Sequence, residues 1–382
     1  MTEIYFIRHA ESFGNLTRRA YGWFDGIVTE KGYKQIECLK NRFKNVNVDV
    51  VYSSDLSRTR ETAKAIYESK GIPLICDGAF REVGIGVWED RPWGEIPITH
   101  PEEYLNWSEK PLSFNVEGGE TYAEVYLRSK TALDRIVEEN DGKTIAVVSH
   151  GATLRMLMYG ITRDGNLEDV EREDWGDNTC VSLFTYENGV YTEKFRNDNS
   201  HLSQMPNFTD NMRWVREGGG RNAWFKCADF SRDKQKIRDY HRRAWLDIFG
   251  DEPQPDREVD KKAMRVLRQS SENIVFAYCP DGEIGMIELD EDICIYPGAG
   301  HISVLYLNSD FRRKRYGIQL IGHAMSRYAA LGKKHISVRV AETNHAAIEF
   351  YKKYGFYEAF REVEDTFRQI IMILDITAKG MN

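Results

Sequence analysis

Along the first half of the chain, nearly unbroken apolar runs alternate with segments of helical periodicity, and two of the runs end in histidine. Glu3-Ile4-Tyr5-Phe6-Ile7 passes straight into Arg8-His9, and Thr144-Ile145-Ala146-Val147-Val148-Ser149 into His150-Gly151. Runs apolar at every position, not at alternate ones, read as central parallel strands covered on both faces. Between them the pattern predicts a helix from Lys31 to about Asn45, a strand over Val48–Ser53, a helix beyond Arg58 to about Glu68, a short strand at Pro73–Cys76 and a long helix over Thr121–Glu139. A helix from Thr153 to Gly160 and strands at Thr179–Tyr186 and Tyr191–Phe195 complete this half. Such alternation of β and α implies an α/β sandwich of three layers, helices on both faces of a mostly parallel sheet. Open sheets of this kind keep their ligands at the carboxyl ends of the strands, where Arg8, His9 and His150 stand.

The second half has a different rhythm. A charged helix over Phe230–Phe249 is followed by a loop from Gln254 to Asp260 and a helix from Lys261 to about Gln269. Strands Asn273–Tyr278 and Gly285–Leu289 are joined through Pro280-Asp281-Gly282, a hairpin turn signal. Strand His301–Leu307, a basic loop Arg312-Arg313-Lys314-Arg315-Tyr316-Gly317 and an amphipathic helix Ile318–Ala330 come next. A strand at Ile336–Val340, a helix capped by Asn344 and stopped by Gly355, and strands at Tyr357–Arg361 and Ile370–Ile376 finish the chain. The whole is an α+β domain with a mixed sheet. The polar stretch Ser203–Thr209, carrying Pro206, reads as the junction, so the expected domains are residues 1–206 and 207–382. Arg213–Arg216 has strand character. Gly218-Gly219-Gly220 reads as a tight turn and not a P-loop, since no Gly-Lys-Ser/Thr follows.

Two domains suit 382 residues. The net charge of −8 gives no basic field for nucleic acid. No apolar run approaches the roughly 18 residues of a membrane span. Met1-Thr2-Glu3 leads directly into a strand, without the basic segment and cleavage site expected of a secretory signal. The six cysteines are scattered, with no Cys-x-x-Cys pair, as expected of reduced thiols in a cytoplasmic protein. No zinc-ligand spacing is present, so no metal site is expected. Oligomeric state is not legible.

If the two histidine-ending strands are neighbours, both imidazoles meet over one pocket, and Arg8 and Arg58 join them from the same edge. Two guanidinium forks with histidines make a cationic bowl suited to a tetrahedral dianion. Like charges there hold a histidine neutral, hence nucleophilic toward phosphorus. The motifs R-H-A-E-S-F-G-N, S-D-L-S-R-T-R-E-T-A, R-E-V-G-I-G-V-W-E, G-G-E-T, V-S-H-G-A and N-D-N-S-H-L occur in that order, and residues 1–202 thereby resemble the histidine phosphatase superfamily, the phosphoglycerate mutase-like fold. The resemblance implies that His9 is the phosphorylated nucleophile and that Arg8, Asn15, Arg58 and His150 hold the phosphoryl oxygens. It also implies that Glu82 is general acid and then base, acting on a small-molecule phosphate ester without a metal. Mutases of this fold have a longer insertion between the Glu loop and the second histidine. The short stretch Val87–Lys143 therefore favours a phosphatase, with mutase-type phosphoryl transfer as the alternative. The substrate-facing part is expected within Trp88–Val116, where Trp93, Tyr104, Trp107 and Phe114 offer ring surface. His201 is expected to be structural and His100 a surface residue.

A strand followed by a basic, glycine-bearing loop and a helix is an anion site, because backbone N–H groups at a helix start point at the ligand. With N-H-A-A-I-E-F-Y-K-K-Y-G-F downstream, residues 210–382 resemble the GNAT family of N-acetyltransferases. The resemblance implies acetyl-CoA held by the loop, at Leu307, Arg312, Arg313, Lys314, Arg315 and Gly317, with Asn344 beside it. Tyr351 would protonate the departing thiolate, and the acceptor would be an amine on a small molecule or peptide. Arg315 stands where the family pattern has its first glycine, so a non-catalytic ligand-binding or docking module is the alternative. Glu288 and His301 are the candidate bases. A substrate carrying both a phosphate and an amine would join the two activities.

Overall fold

The structure is a computed structural model describing residues 1–205, 222–250, 253–364 and 367–377. It divides into two compact units, residues 1–91 with 96–219 and residues 92–95 with 220–382. The boundary at 206/207, the Arg213–Arg216 segment and Gly218–Gly220 lie outside the described residues.

The first unit is built on a sheet of six strands: β1 (Thr2–Arg8), β2 (Val50–Ser53), β3 (Leu74–Cys76), β4 (Thr144–Ser149), β5 (Val181–Glu187) and β6 (Val190–Asp198). Their order is β3-β2-β4-β1-β5-β6, with the first four parallel and β5 and β6 antiparallel. Its helices are α1 (Phe13–Thr17), α2 (Glu30–Phe43), α3 (Ser57–Lys70), α4 (Ile96–Thr99), α5 (Pro101–Glu109), α6 (Tyr122–Glu139) and α7 (Gly151–Ile161). Alternate residues of each central strand serve opposite layers. Ile145 and Val147 of β4 join Ile4 and Phe6 against α6 and α7, through Leu133, Ile136, Leu154 and Leu157. Ala146 and Val148 join Ile7 and Val51 against α2 and α3, through Ile36, Leu39, Ala63 and Ile66. Both strand faces are thus buried, which is why the runs carry no alternation. The sequence pattern did not reveal α5, which buries no residue fully.

The second unit has seven strands: β7 (Trp224–Cys227), β8 (Ile274–Cys279), β9 (Gly282–Asp290), β10 (Ala299–Leu307), β11 (His335–Ala341), β12 (Tyr357–Glu364) and β13 (Phe367–Asp375). Their order is β12-β13-β11-β10-β9-β8-β7, antiparallel except for β10 beside β11. Its helices are α8 (Phe230–Phe249), α9 (Asp256–Gln269), α10 (Tyr316–Ala330) and α11 (His345–Lys353). Ile237 and Tyr240 of α8 and Val259, Ala263 and Val266 of α9 pack on Ile274, Phe276 and Met286. Helix α9 starts at Asp256, five residues before the expected Lys261. Pro255 is its N-cap and Asp256 and Glu258 fill its first turn, a start signal that reads as loop composition when taken alone. Helix α10 lies so close to β10 that a Cβ at Gly300 would sit 2.2 Å from the Tyr328 ring.

Candidate active sites

In the first unit Arg8 pairs with Ser149 across β1 and β4, so His9 and His150 follow side by side at the carboxyl edge. Their ring centroids are 5.3 Å apart and both rings are buried. His9 Nδ1 lies 2.7 Å from the Ala10 carbonyl oxygen, a contact that an N–H must make, so the lone pair sits on Nε2. Burial first, then the charges of Arg58 and Arg8, hold His9 well below the usual histidine range. His150 is held low in the same way, by burial, Arg58 and His9 in that order. Its Nε2 meets Ser54 Oγ at 2.9 Å, while Nδ1 is buried with no hydrogen-bond partner among the described residues. The Ser54 oxygen also accepts the Leu56 N–H.

Arg58 is buried and gripped by carbonyls: Nη1 donates to Phe24 O at 2.9 Å and Nη2 to Gly22 O at 2.7 Å. Those carbonyls are fixed in turn by Glu89, whose carboxylate accepts the N–H groups of Gly22, Trp23 and Phe24. Arg8 donates to Gly176 O. Glu82 sits at the start of α7, its carboxylate accepting from Ala152 N at 3.2 Å and Thr153 N at 3.1 Å. Asn15 Oδ1 accepts from the Ser12 backbone N–H and from Asn178 Nδ2, and Asn178 also donates to the His9 carbonyl. Arg8, His9, Asn15, Arg58, Glu82 and His150 therefore share one end of the sheet, tied by backbone groups. His201 bridges Arg42 and Thr179, a structural position. Phe114 is not substrate-facing: it is fully buried between Trp88 and Tyr122. Trp107 stacks on Tyr104 and approaches Trp175.

In the second unit β10 and β11 pair only from Ala299–His335 to Ile302–Val338, and a bulge at Ser303 turns β10 away. A cavity of about 330 Å³ lies where the strands part, lined by Ser303 and Leu305 on one side, Arg339 and Ala341 on the other, and by Asn344 and Tyr351. Ser303 Oγ and Gln369 Oε1 are buried there without protein partners among the described residues. Burial raises the Tyr351 hydroxyl above its ordinary range. Asn344 Oδ1 caps α11 through the Ala347 N–H.

The loop Arg312–Gly317 lies outside that lining and leads into α10. Arg313 and Arg315 take φ values of 61° and 66°, so Arg315 adopts the left-handed backbone that a glycine would supply. The departure from the family pattern therefore changes the side chain and not the turn. Arg312 is engaged with Asp247 and the Leu307 carbonyl, and a Cβ at Gly317 would press on Phe350 and Leu307. Lys314 lies over the Phe311 ring. The parted strands, the orphaned polar atoms and the loop at a helix start fit an extended cofactor such as acetyl-CoA.

Neither expected base has the right setting. His301 is pushed down to about 3 by burial and by Arg339, and contacts Ser337. Glu288 is buried, which alone would raise it, but Lys262 and His241 bring it to about 2. Sequence reasoning missed His241, which lines the cavity and meets Glu288 through Nε2 at 2.9 Å.

Residues 4–199 match the model of the histidine phosphatase superfamily (branch 1). The chain belongs to this superfamily. Residues 234–356 match the acetyltransferase (GNAT) family, so a histidine phosphatase domain and a GNAT domain share one chain. The chain is 34% identical over 157 residues to phosphoserine phosphatase 1 of Hydrogenobacter thermophilus, covering 41% of this chain and 74% of that protein. It is 35% identical over 163 residues to the probable phosphoglycerate mutase GpmB of Yersinia pestis, with the same coverage of both. The solved structure of Bacillus stearothermophilus YhfR superposes with a TM-score of 0.51 at 29% identity, covering 53% of this chain and all of that one. Among the described residues of this histidine phosphatase superfamily member, no group of three or more His, Cys, Asp or Glu side chains is placed to hold a metal, and no helix is long and apolar enough to cross a membrane.

Proposed function

We propose that the first unit hydrolyses phosphate monoesters through a phosphohistidine on His9. The convergence of a neutral His9, carrying its lone pair on Nε2, with Arg8, Arg58 and a His150 whose Nδ1 has no protein partner carries this reading. Nε2 attacks phosphorus, Glu82 protonates the leaving alcohol, and the same carboxylate then takes the proton of the attacking water. Arg8, Arg58, His150 and Asn15 stabilise charge on the phosphoryl oxygens, so the chemistry asks for no metal. The names of the relatives divide between phosphatase and mutase, and the short Val87–Lys143 stretch favours hydrolysis. Phosphate release from p-nitrophenyl phosphate in EDTA should be lost in His9→Ala. Release that survives this change refutes the assignment.

The second unit we read as an acetyl-CoA-dependent N-acyltransferase. Its loop at α10 would hold the cofactor's phosphates, with Leu307, Arg312, Arg313, Lys314, Arg315 and Gly317 forming that turn and Asn344 near the thioester arm. Acetyl-CoA, when bound, supplies an activated acyl group. His241 keeps its proton on Nε2 toward Glu288, which leaves Nδ1 to accept a proton from the acceptor amine. Lys262 Nζ also meets Glu288, at 2.9 Å. Tyr351 would supply its hydroxyl proton to the leaving thiolate of the cofactor. Calorimetric titration with acetyl-CoA decides between this reading and a docking module: no heat at millimolar cofactor removes the transferase reading.

A further inference from the structure

Glu82 stands on a segment without regular structure of its own: residues 81–84 belong to neither helix nor strand. Their backbone polar groups must therefore find partners elsewhere. One ion pair supplies most of them. Arg128 of α6, its side chain 20% exposed, uses every N–H of its guanidinium. Nε and Nη2 donate to the two carboxylate oxygens of Glu120, at 2.8 and 2.9 Å. Nη1 donates to the Ala79 and Arg81 carbonyls at 2.7 and 2.9 Å, and Nη2 to the Glu82 carbonyl at 2.9 Å. Glu120 completes the grip. Its carboxylate accepts the Gly84 N–H at 2.8 Å, and its own N–H donates to the Gly84 carbonyl.

This grip on the backbone matches the one that α7 places on the side chain. There the Ala152 and Thr153 N–H groups hold the Glu82 carboxylate, and Thr153 Oγ1 donates to the Arg81 carbonyl at 2.7 Å. The Glu82 carbonyl takes a second hydrogen bond from Trp23 Nε1 at 2.9 Å. Trp23 lies between Gly22 and Phe24, whose carbonyls hold Arg58. The acid's segment, α6 and the Arg58 cradle are thus one hydrogen-bonded assembly. A planar fork that fills fixed acceptors on all sides is not imitated by the point charge of a lysine.

We propose that Arg128, locked by Glu120, is a positioning residue: it fixes the backbone of the Glu82 segment so that the carboxylate meets the ester oxygen of the leaving group. Arg128 acts through Glu82 and not on the substrate. The proposal rests on the hydrolytic reading of the His9 centre, with Glu82 as its acid.

Two esters that differ in their need for a proton make the test. p-Nitrophenolate leaves as a stable anion, whereas ethoxide must be protonated as it departs. kcat/KM covers the steps up to the phosphohistidine, so the later attack of water, common to both esters, drops out. The ratio of the two values is also independent of how much of the protein is folded. Arg128→Lys keeps the positive charge that acts on His150 and removes the fork. In this variant kcat/KM for ethyl phosphate should fall roughly tenfold to a hundredfold more than for p-nitrophenyl phosphate, a part of the roughly 10²–10⁴-fold that a placed acid contributes. Glu82→Gln should move the ratio further in the same direction. Adding Arg128→Lys to Glu82→Gln should not move it again, since both act through one carboxylate. An unchanged ratio in Arg128→Lys, or a further shift in the double variant, overturns the positioning role. If the intact chain hydrolyses neither ester, the hydrolytic reading falls instead, and hydrogen exchange at the Gly84 amide decides on Arg128. Faster exchange in Arg128→Lys upholds its hold on the segment; unchanged exchange overturns it.

Discussion

The two proposed sites would hold an anion by opposite means. In the first unit the cations of the proposed site, Arg8 and Arg58, are buried and held by backbone carbonyls before any ligand arrives. Arg58 is the clearest case, fixed by Gly22 and Phe24, which Glu89 fixes in turn. In the second unit the exposed cations Arg312 to Arg315 surround a turn whose backbone would do the recognising in the proposed site, and the cavity exists because β10 and β11 part after Ile302. A preorganised charge acts strongly in a water-excluded pocket. A helix start with solvated cations gives several weaker contacts, each of which can be lost singly.

The largest expected effect follows directly. Arg58→Met should lower kcat/KM for p-nitrophenyl phosphate by on the order of 10³-fold, as for loss of a transition-state donor. Arg312→Ala should weaken acetyl-CoA binding by no more than about tenfold, since a solvated cation on a phosphate contributes little beyond the backbone contacts. Steady-state rates and calorimetry on the two variants give the comparison. A tenfold loss at Arg58 with a thousandfold loss at Arg312 would reverse it.

The units should also part company in acid. His9 and His150 are held well below the usual range, His201 is brought to about 4 and His301 to about 3, burial being the first cause for each. An imidazole depressed in the folded state gains its proton more readily when unfolded. Its stabilisation is therefore complete above about pH 6.5 and declines as pH falls below that. At pH 5 each such group has cost up to about 2 kcal/mol. Three of them lie in the first unit and one in the second. Hydrogen exchange, corrected for its intrinsic pH dependence, should show β1 and β4 losing protection before β11 between pH 7 and 5. Earlier loss in β11 would contradict the assigned charge states.

How far each site could be read from the chain follows from the same contrast. Side-chain clamps leave motifs: the two apolar runs ending in His9 and His150 announced a shared strand edge, and the register of β1 against β4 realises it. Ser54 left no such signal, since a serine in Ser-Ser-Asp-Leu-Ser-Arg looks like turn composition. Recognition by backbone is harder to see. The parting of β10 from β11 is a matter of register, and His241 and Glu288, 47 positions apart, meet only once α8 packs on β9. Glu288, a candidate base from the sequence, is engaged by His241 and Lys262.

The smallest effect tests whether the turn before α10 recognises through backbone geometry. Arg315 holds φ 66°, a conformation that costs an L-residue roughly 1 kcal/mol and costs glycine almost nothing. Arg315→Ala keeps that cost and removes the charge, whereas Arg315→Gly removes both. The glycine variant should therefore be more stable than the alanine variant by about 1 kcal/mol in denaturant unfolding, although glycine usually weakens a chain. If the backbone sets cofactor affinity, the two variants should bind acetyl-CoA alike. A glycine variant less stable than the alanine one would mean that Arg315 does not hold the left-handed turn in solution. The parallel with the family's glycine would then fail.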